Sequence, residues 1–202
     1  MRRVSAVLLT LALGSSLAAL PSPGGFRFDL SAYAALPVTW YADGPALRHS
    51  GWGASAGAEY ELEAWVPGRL ELSYFGYAPS AISEGGELYR AWHGLRVAAL
   101  AGYRFEPFEA LWSSRLGLLA GGALTAAGYT DTNLAFAYPS LLAELRLDLA
   151  AERESFLWIG LPFEYMFRGA FRTASLGLAL GWRMGPVARA PSRPAPRKGA
   201  RR

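Results

Sequence analysis

A two-residue alternation of apolar and charged side chains runs through most of this sequence and constrains the fold more than any other feature. Between residues 54 and 64, Glu59, Glu61 and Glu63 share one parity, and alanine, tyrosine and leucine occupy the other. A helix would spread these glutamates around its circumference, whereas a strand places them on one face. The alternation therefore predicts an all-β fold.

The alternation recurs in eight segments, at roughly residues 26–41, 54–64, 69–78, 89–105, 110–127, 141–149, 157–168 and 174–183. Short links are expected at Pro67-Gly68, at 106–109 and at 150–154, and mostly longer ones near 42–50, 79–86, 128–133 and 169–172. An even strand number with short turns on one rim is typical of outer-membrane barrels. We therefore predict an eight-stranded antiparallel up-and-down transmembrane β-barrel over residues 26–184, with both termini on the periplasmic side.

Three features favour a barrel whose apolar face meets lipid. The polar faces carry small residues between charges, and their bases are all arginine, since the sole lysine is Lys198. Their acids and bases are nearly equal in number, as pairing of buried charges requires. Aromatic residues crowd the predicted strand ends, as in interfacial girdles: Trp40, Tyr41, Trp65, Tyr77, Tyr89, Tyr103, Phe105, Phe108, Trp112, Phe156, Phe167 and Trp182.

The charged faces predict a lumen filled by arginine–carboxylate ion pairs, because eight strands leave an interior just wide enough for side chains. The predicted members of this network are Glu59, Glu61, Glu63, Glu71, Arg90, Arg96, Arg104, Arg115, Glu144, Arg146, Asp148, Glu164, Arg168 and Arg183. Neighbouring carboxylates on one strand face lie about 7 Å apart, so salt bridges explain the glutamate row better than a metal site. We expect no metal and no cofactor.

The two ends of the chain differ from the body. Arg2 and Arg3, the apolar stretch from Val7 to Leu13 and a small-residue cleavage site predict an export signal over residues 1–18. Residues 185–202 are rich in proline, alanine and arginine and are expected to be a disordered tail. With both ends set aside, 12 basic and 16 acidic residues remain, so the body carries about −4 and offers no basic surface for nucleic acid.

The strand number, the alternation and the export signal resemble the small outer-membrane barrels of the OmpA/OmpX type, over residues 26–184. The resemblance is one of architecture, since no specific motif carries it. It implies the outer membrane of a Gram-negative-type bacterium, contact with membrane lipid and insertion by the outer-membrane assembly machinery. The six positive charges of the tail are expected to favour anionic cell wall or lipid headgroups.

The expected role is structural or surface-interacting, without catalysis. A narrow channel for ions or small solutes is the alternative. A rim enzyme is a third hypothesis, suggested by His49 and Ser50 with Asp43 nearby. Adjacent residues point apart, however, so His49 and Ser50 lack the geometry of a base and its nucleophile.

Overall fold

The computed structural model describes residues 26–40, 46–63, 66–78, 91–105, 114–149, 155–169 and 171–185, and within these ranges the chain is built from β-strands. The strands are β1 (Arg27–Trp40), β2 (Leu47–Arg48), β3 (Gly51–Glu63), β4 (Val66–Tyr77), β5 (Trp92–Arg104), β6 (Arg115–Tyr129), β7 (Ala135–Asp148), β8 (Ser155–Arg168) and β9 (Phe171–Met184). The described residues contain no helix long and apolar enough to cross a membrane.

The sheet closes into a barrel because β1 pairs with both β3 and β9, and every neighbouring pair is antiparallel. The paired residues can be followed once around the barrel from Phe28 through β3 to β9. This path returns to β1 at Val38, ten residues further along. That stagger tilts the strands by about 40° from the barrel axis. The prediction of an eight-stranded antiparallel barrel is confirmed, with β2 as an additional short strand.

The short strand β2 continues β3. Val38 pairs with Arg48 and Ala35 with Gly51 in one unbroken register along β1. Between these pairs stands Pro37, whose carbonyl accepts a hydrogen bond from the His49 N–H at 2.9 Å. Proline has no N–H to return the bond, so the ladder is interrupted there. Eight strand paths therefore form the wall.

The apolar parity of the strands faces outward. Leucines at the middle of the strands are more than half exposed, among them Leu72, Leu141 and Leu178. The charged parity faces inward, where Asp29 and Arg183 are almost completely buried. A surface of exposed aliphatic side chains around a charged interior suits a barrel surrounded by hydrocarbon, which is the arrangement predicted from the alternation.

Glycines of the inner face make room for aromatic rings. A Cβ on Gly181 would lie 2.2 Å from the Trp158 ring, and one on Gly53 would lie 2.3 Å from the Tyr33 ring. Gly51 stands in the same relation to Tyr77, with which it pairs across β3 and β4. The ring thus fills the space that a second side chain would need, which explains why glycine is frequent on the inner parity.

Some local predictions are wrong. Pro67 and Gly68 lie within β4 next to a register shift between Glu61 and Glu63, so they are not the turn; a bulge tolerates the missing N–H of proline. Tyr77 and Phe156 are buried inside the barrel and do not join an interfacial girdle, because their parity points them inward. The link predicted near 169–172 does lie there and is a short hairpin, since β8 ends at Arg168 and β9 begins at Phe171.

Several predicted features fall outside the described residues. They are the export signal at 1–18, the tail beyond Gly185, the start of the fifth strand at 110, and the links at 79–86, 106–109 and 150–154. Of the predicted girdle residues, Tyr41, Trp65, Tyr89, Phe108 and Trp112 also lie there.

Candidate functional site in the barrel lumen

The lumen has two ends, which we call the termini end, where β1 begins and β9 ends, and the loop end, which holds the β8–β9 hairpin. At the termini end the inner faces of β1, β3, β5 and β9 carry the charges. Glu59 on β3 is 1% exposed and accepts hydrogen bonds from both terminal nitrogens of Arg183, at 3.1 and 2.8 Å. It also accepts from Arg104 on β5. Glu59 thus joins β9 and β5 to β3 through paired charges.

A second group of charges lies next to Glu59, deeper in the lumen. Arg69 on β4 donates from one terminal nitrogen to Asp29 at 2.7 Å and to Glu71 at 2.8 Å. Its other terminal nitrogen also binds Asp29. Arg146 on β7 donates to Glu144 at 2.7 Å, and its guanidinium lies 3.9 Å from the Trp158 ring. Every one of these charged groups therefore has an opposite partner, which offsets the cost of its burial.

The middle of the lumen holds an ion pair that crosses the barrel and a small cavity. Arg96 on β5 donates to Glu164 on β8 at 2.6 Å and to Ser73 at 2.9 Å. Glu164 accepts a further hydrogen bond from the Ser140 hydroxyl at 2.7 Å. The adjoining cavity has a volume of about 40 Å³, which is room for about three water molecules.

The loop end of the lumen is aromatic. Rings from four strands form a buried cluster there, comprising Phe75, Tyr77, Trp92, Tyr129 and Tyr138, with Phe136 packed against it. Trp92 contacts Tyr77 edge-on, with ring centroids 4.4 Å apart. Arg168 inserts its guanidinium into this cluster, 4.2 Å from the Trp92 ring and 4.7 Å from the Phe136 ring. The lumen is thus ionic at the termini end and aromatic at the loop end.

The structure brings together most of the predicted network residues. Glu59, Glu61, Glu71, Arg96, Arg104, Glu144, Arg146, Asp148, Glu164 and Arg183 all form ion pairs inside the barrel. Arg115 begins β6 at the termini end, where it pairs in register with Asp148. Arg90 and the side chain of Glu63 lie outside the described residues.

Arg168 differs from that prediction. Within the described part of the chain it contacts aromatic rings and the Tyr129 hydroxyl, at 3.4 Å, and its partner is not a carboxylate. The physical reason is its height in the barrel, because at the loop end the inner parity of the neighbouring strands changes from charged to aromatic residues.

The predicted members of the network do not include Asp29, Arg27 and Arg69, although all three form ion pairs inside the barrel. Arg69 lies on the inner face of β4 and is 2% exposed. Arg27 pairs with Glu61 at 3.5 Å. Inner parity in the strand predicted at 26–41 already places Arg27 and Asp29 on the charged face, and it includes Arg69 once the strand at 69–78 is extended back through Pro67.

The carboxylate row does not converge on one point. Glu59 and Glu61 both contact Arg104, and within the described ranges no group of three histidine, aspartate or glutamate side chains is placed to hold a metal ion.

Comparison with solved structures shows the fold. Neisserial surface protein A (NspA) is 18% identical to this chain, with a TM-score of 0.53, over 79% of this chain and 98% of its own. Ail, the attachment invasion locus protein of Yersinia pestis, is 14% identical, with a TM-score of 0.48 over 78% and 98%. A major outer membrane protein from Thermus thermophilus is 13% identical, with a TM-score of 0.48 over 80% and 100%. No protein-family model matches the sequence, and no curated protein matches it.

Of these three likenesses, the one to NspA exceeds a TM-score of 0.5, and it concerns the fold alone. A closed antiparallel barrel with an apolar outer surface pairs its backbone groups between neighbouring strands, as a span through lipid requires. In bacteria this architecture belongs to the outer membrane. The chain is therefore a small outer-membrane β-barrel of the Gram-negative type that contacts membrane lipid through its outer face.

Proposed function

We propose that this outer-membrane barrel has a structural or surface-interaction role and that side chains close its lumen to diffusion. The observation that carries the proposal is the pairing of Glu59 with Arg183 and Arg104, which ties three strands together across the termini end. Moving these charges aside for a solute would separate buried ion pairs, at a cost of several kcal/mol for each.

The alternative is a narrow channel for ions or small solutes. The lumen cavity beside Arg96 and Glu164 has about 40 Å³, far less than a hydrated ion and its path through the barrel would need. The aromatic cluster around Trp92 lies between this cavity and the loop end. Both features favour the closed lumen.

We also propose that the barrel is not an enzyme. His49 turns inward, where its Nδ1 lies 3.2 Å from the Ala78 carbonyl oxygen, and Ser50 is exposed. The two side chains therefore point to opposite sides of the wall, as expected for neighbours in an extended chain. Asp43 lies outside the described residues.

The orientation and the partners belong to the same proposal. The termini end faces the periplasm, as in barrels with short periplasmic turns, and the loop end faces the outside. Insertion requires the outer-membrane assembly machinery, and the basic tail contacts anionic cell wall or headgroups. The name of NspA describes a surface protein, and the shared fold supports a surface role here.

Conductance in planar lipid bilayers tests the proposal. The full-length mature barrel is reconstituted, and its folding is verified by a heat-dependent shift in gel migration. We expect no current steps above the lipid background. Reproducible steps with a defined ion selectivity would establish the channel and refute the closed lumen.

If the Glu59–Arg183 ion pair closes the lumen, removal of this pair should let ions pass. The double substitution Glu59→Ser and Arg183→Ser removes one charge of each sign, and Arg104 keeps Glu61 and Asp148 as partners. We expect intermittent current from this variant. The control is Leu178→Ala, a single substitution on the outer face, which should give no current above the lipid background. A silent double variant would mean that this pair does not close the lumen.

A further inference from the structure

The pairing between β7 and β8 stops short of the loop end of the barrel. The ladder between these strands ends at the pair Ser140–Met166, although β7 extends back to Ala135 and β8 runs on to Arg168. Beyond that point β7 stays paired with β6, as far as Ala135 opposite Gly128. The other strand stays paired with β9 through Arg168. Among the described residues, the ladder between β7 and β8 therefore ends before either strand does, and we call this unpaired stretch the notch.

Pro139 explains where the notch begins. The Leu149 N–H donates to the Leu157 carbonyl at 2.9 Å, so odd-numbered residues along β7 turn their backbone groups toward β8. Pro139 has this parity, and its partner in continued register is Phe167. Because proline has no N–H, the bond that would extend the ladder cannot form. The opening is thus built into the sequence.

The notch leads to a cavity of about 370 Å³, within the size range of small-ligand sites. Its walls are the aromatic residues Tyr129, Phe136 and Tyr138, the end of β7 and, from β8, Arg168. Aromatic walls with one cation can accommodate both an apolar group and a negative charge.

Arg168 is the part of the notch that points to a ligand. It is 9% exposed, and its Nε makes no hydrogen bond. The lumen arginines Arg69, Arg96 and Arg183 each have at least two carboxylate oxygens as partners. Arg168 has rings and one hydroxyl, within the described ranges. A buried guanidinium without a carboxylate is balanced best by an anion supplied from outside.

The depth of the notch in the bilayer indicates which molecules could supply that anion. On the outer face beside it, Tyr165 packs against Phe167 with centroids 5.0 Å apart and against Trp40 at 6.0 Å. Clustered tyrosine and tryptophan mark the headgroup level of a bilayer. An opening in the wall at that level meets lipid headgroups.

We propose that the notch between β7 and β8 binds the anionic headgroup of an outer-leaflet lipid, with Arg168 as the counter-charge. The outer-leaflet assignment rests on the proposed orientation of the barrel, whereas the binding itself does not. A phosphate or carboxylate at Arg168 would accept hydrogen bonds from Nε and the terminal nitrogens. Phe136 and Tyr138 would contact the apolar part next to the headgroup.

Titration calorimetry of the folded barrel in phosphatidylcholine nanodiscs tests this proposal. Dodecyl phosphate is the probe, and its partition into empty nanodiscs is subtracted. We expect saturable binding of one molecule per barrel. Arg168→Gln should weaken it about tenfold or more, as the loss of a charge-assisted contact implies. Arg48→Gln, which alters an exposed arginine at the same end of the barrel, should leave the affinity within about twofold.

Two further probes identify the ligand. Dodecyl maltoside has the alkyl chain without the charge, and inorganic phosphate has the charge without the chain. Each should bind at least about tenfold more weakly than dodecyl phosphate. Equal affinity of inorganic phosphate would overturn the lipid assignment, and equal affinity of dodecyl maltoside would overturn the role of the charge.

Arg168 also packs on Trp92, so the variant must be shown to fold, by its heat-dependent gel shift. Arg168→Lys keeps the charge and should retain more affinity than Arg168→Gln. Unchanged binding in a folded Arg168→Gln barrel would refute the proposal. A conducting lumen would overturn the proposed function and leave this result standing, so the two failures are distinguishable.

Discussion

Arg183, near the end of the last strand, donates hydrogen bonds to Glu59 from both terminal guanidinium nitrogens, at 3.1 and 2.8 Å. The two residues are 124 positions apart in the sequence. The strand β1 lies between their two strands in the barrel, so the bond spans three strands at the seam where the sheet closes. Closure of the barrel therefore coincides with pairing of its most buried charges.

Removal of the charge on Glu59 should destabilise the barrel strongly. Glu59→Gln keeps the shape of the side chain but leaves Arg183 and Arg104 without the carboxylate that each contacts most closely. We expect the free energy of unfolding to fall by about 3–5 kcal/mol, measured by urea titration in lipid vesicles. The matched control is Glu61→Gln, two residues along on the same face, where the side chain is 17% exposed and the loss should be about 1 kcal/mol. Equal losses in the two variants would contradict this account.

A methyl group on Gly181, an inner glycine of β9, should destabilise the barrel because it would overlap one aromatic ring. In Gly181→Ala the new Cβ would lie 2.2 Å from the Trp158 ring, and relief of that overlap should cost about 1–3 kcal/mol. Gly122→Ala is the control, since the nearest atom to its Cβ is the Ser140 carbonyl oxygen at 3.8 Å. Equal shifts of the urea midpoint in the two variants would show that the Trp158 ring is not the reason for glycine at position 181.

An arginine on the outer face should be costly in proportion to its depth in the bilayer. Leu178 lies at the middle of β9 and is 59% exposed, and Met184 ends the same strand. We expect Leu178→Arg to lower the unfolding free energy in vesicles by about 2–4 kcal/mol and Met184→Arg by about 1 kcal/mol or less. A tolerated Leu178→Arg would mean that this face does not meet hydrocarbon.

Restoring a backbone donor at the notch should extend the ladder between β7 and β8. Pro139→Val supplies an N–H that can donate to the Phe167 carbonyl. Once the strands pair there, the Phe167 N–H can donate in return to the carbonyl of residue 139. Hydrogen exchange of the Phe167 amide should slow by about fivefold to tenfold, as one hydrogen bond of about 1–1.4 kcal/mol implies. The Tyr165 amide, already opposite Leu141, is the internal reference and should not change. Fast exchange at Phe167 in the variant would show that Pro139 does not cause the separation.

The fold was predictable from the sequence because a period of two, with glutamate and arginine on one side, admits few arrangements. The same parity rule places Glu59, Arg96 and Arg183 inside, where they lie. Strand ends were harder, since Pro67 suggests a turn by its chemistry and a bulge absorbs it instead. Parity also points Tyr77 inward, but aromatic composition near a strand end suggested the interface.

Which inner side chains meet across the barrel, and how far along its axis each one lies, depend on the register between strands. The sequence of a single strand does not reveal that register. The sequence indicated that Arg168 faces inward, but the surrounding rings of Trp92 and Phe136 come from other strands. The notch was open to prediction in principle, because a proline within a strand removes one ladder bond. Its position next to Arg168 requires the pairing of β7 with β8, which long-range closure determines.

The central claim is that hydrocarbon surrounds the aliphatic parity and that the opposite parity is sealed within the barrel. Two pairs of adjacent leucines test it without any substitution, because Leu118 and Leu141 face outward and Leu119 and Leu142 face inward. In nanodiscs with methyl-labelled leucine, nuclear Overhauser effects between protein methyl groups and lipid acyl chains report contact directly. We predict strong effects for Leu118 and Leu141 and none for Leu119 and Leu142. Lipid contacts at Leu119 and Leu142, with water contacts at Leu118 and Leu141, would contradict the account.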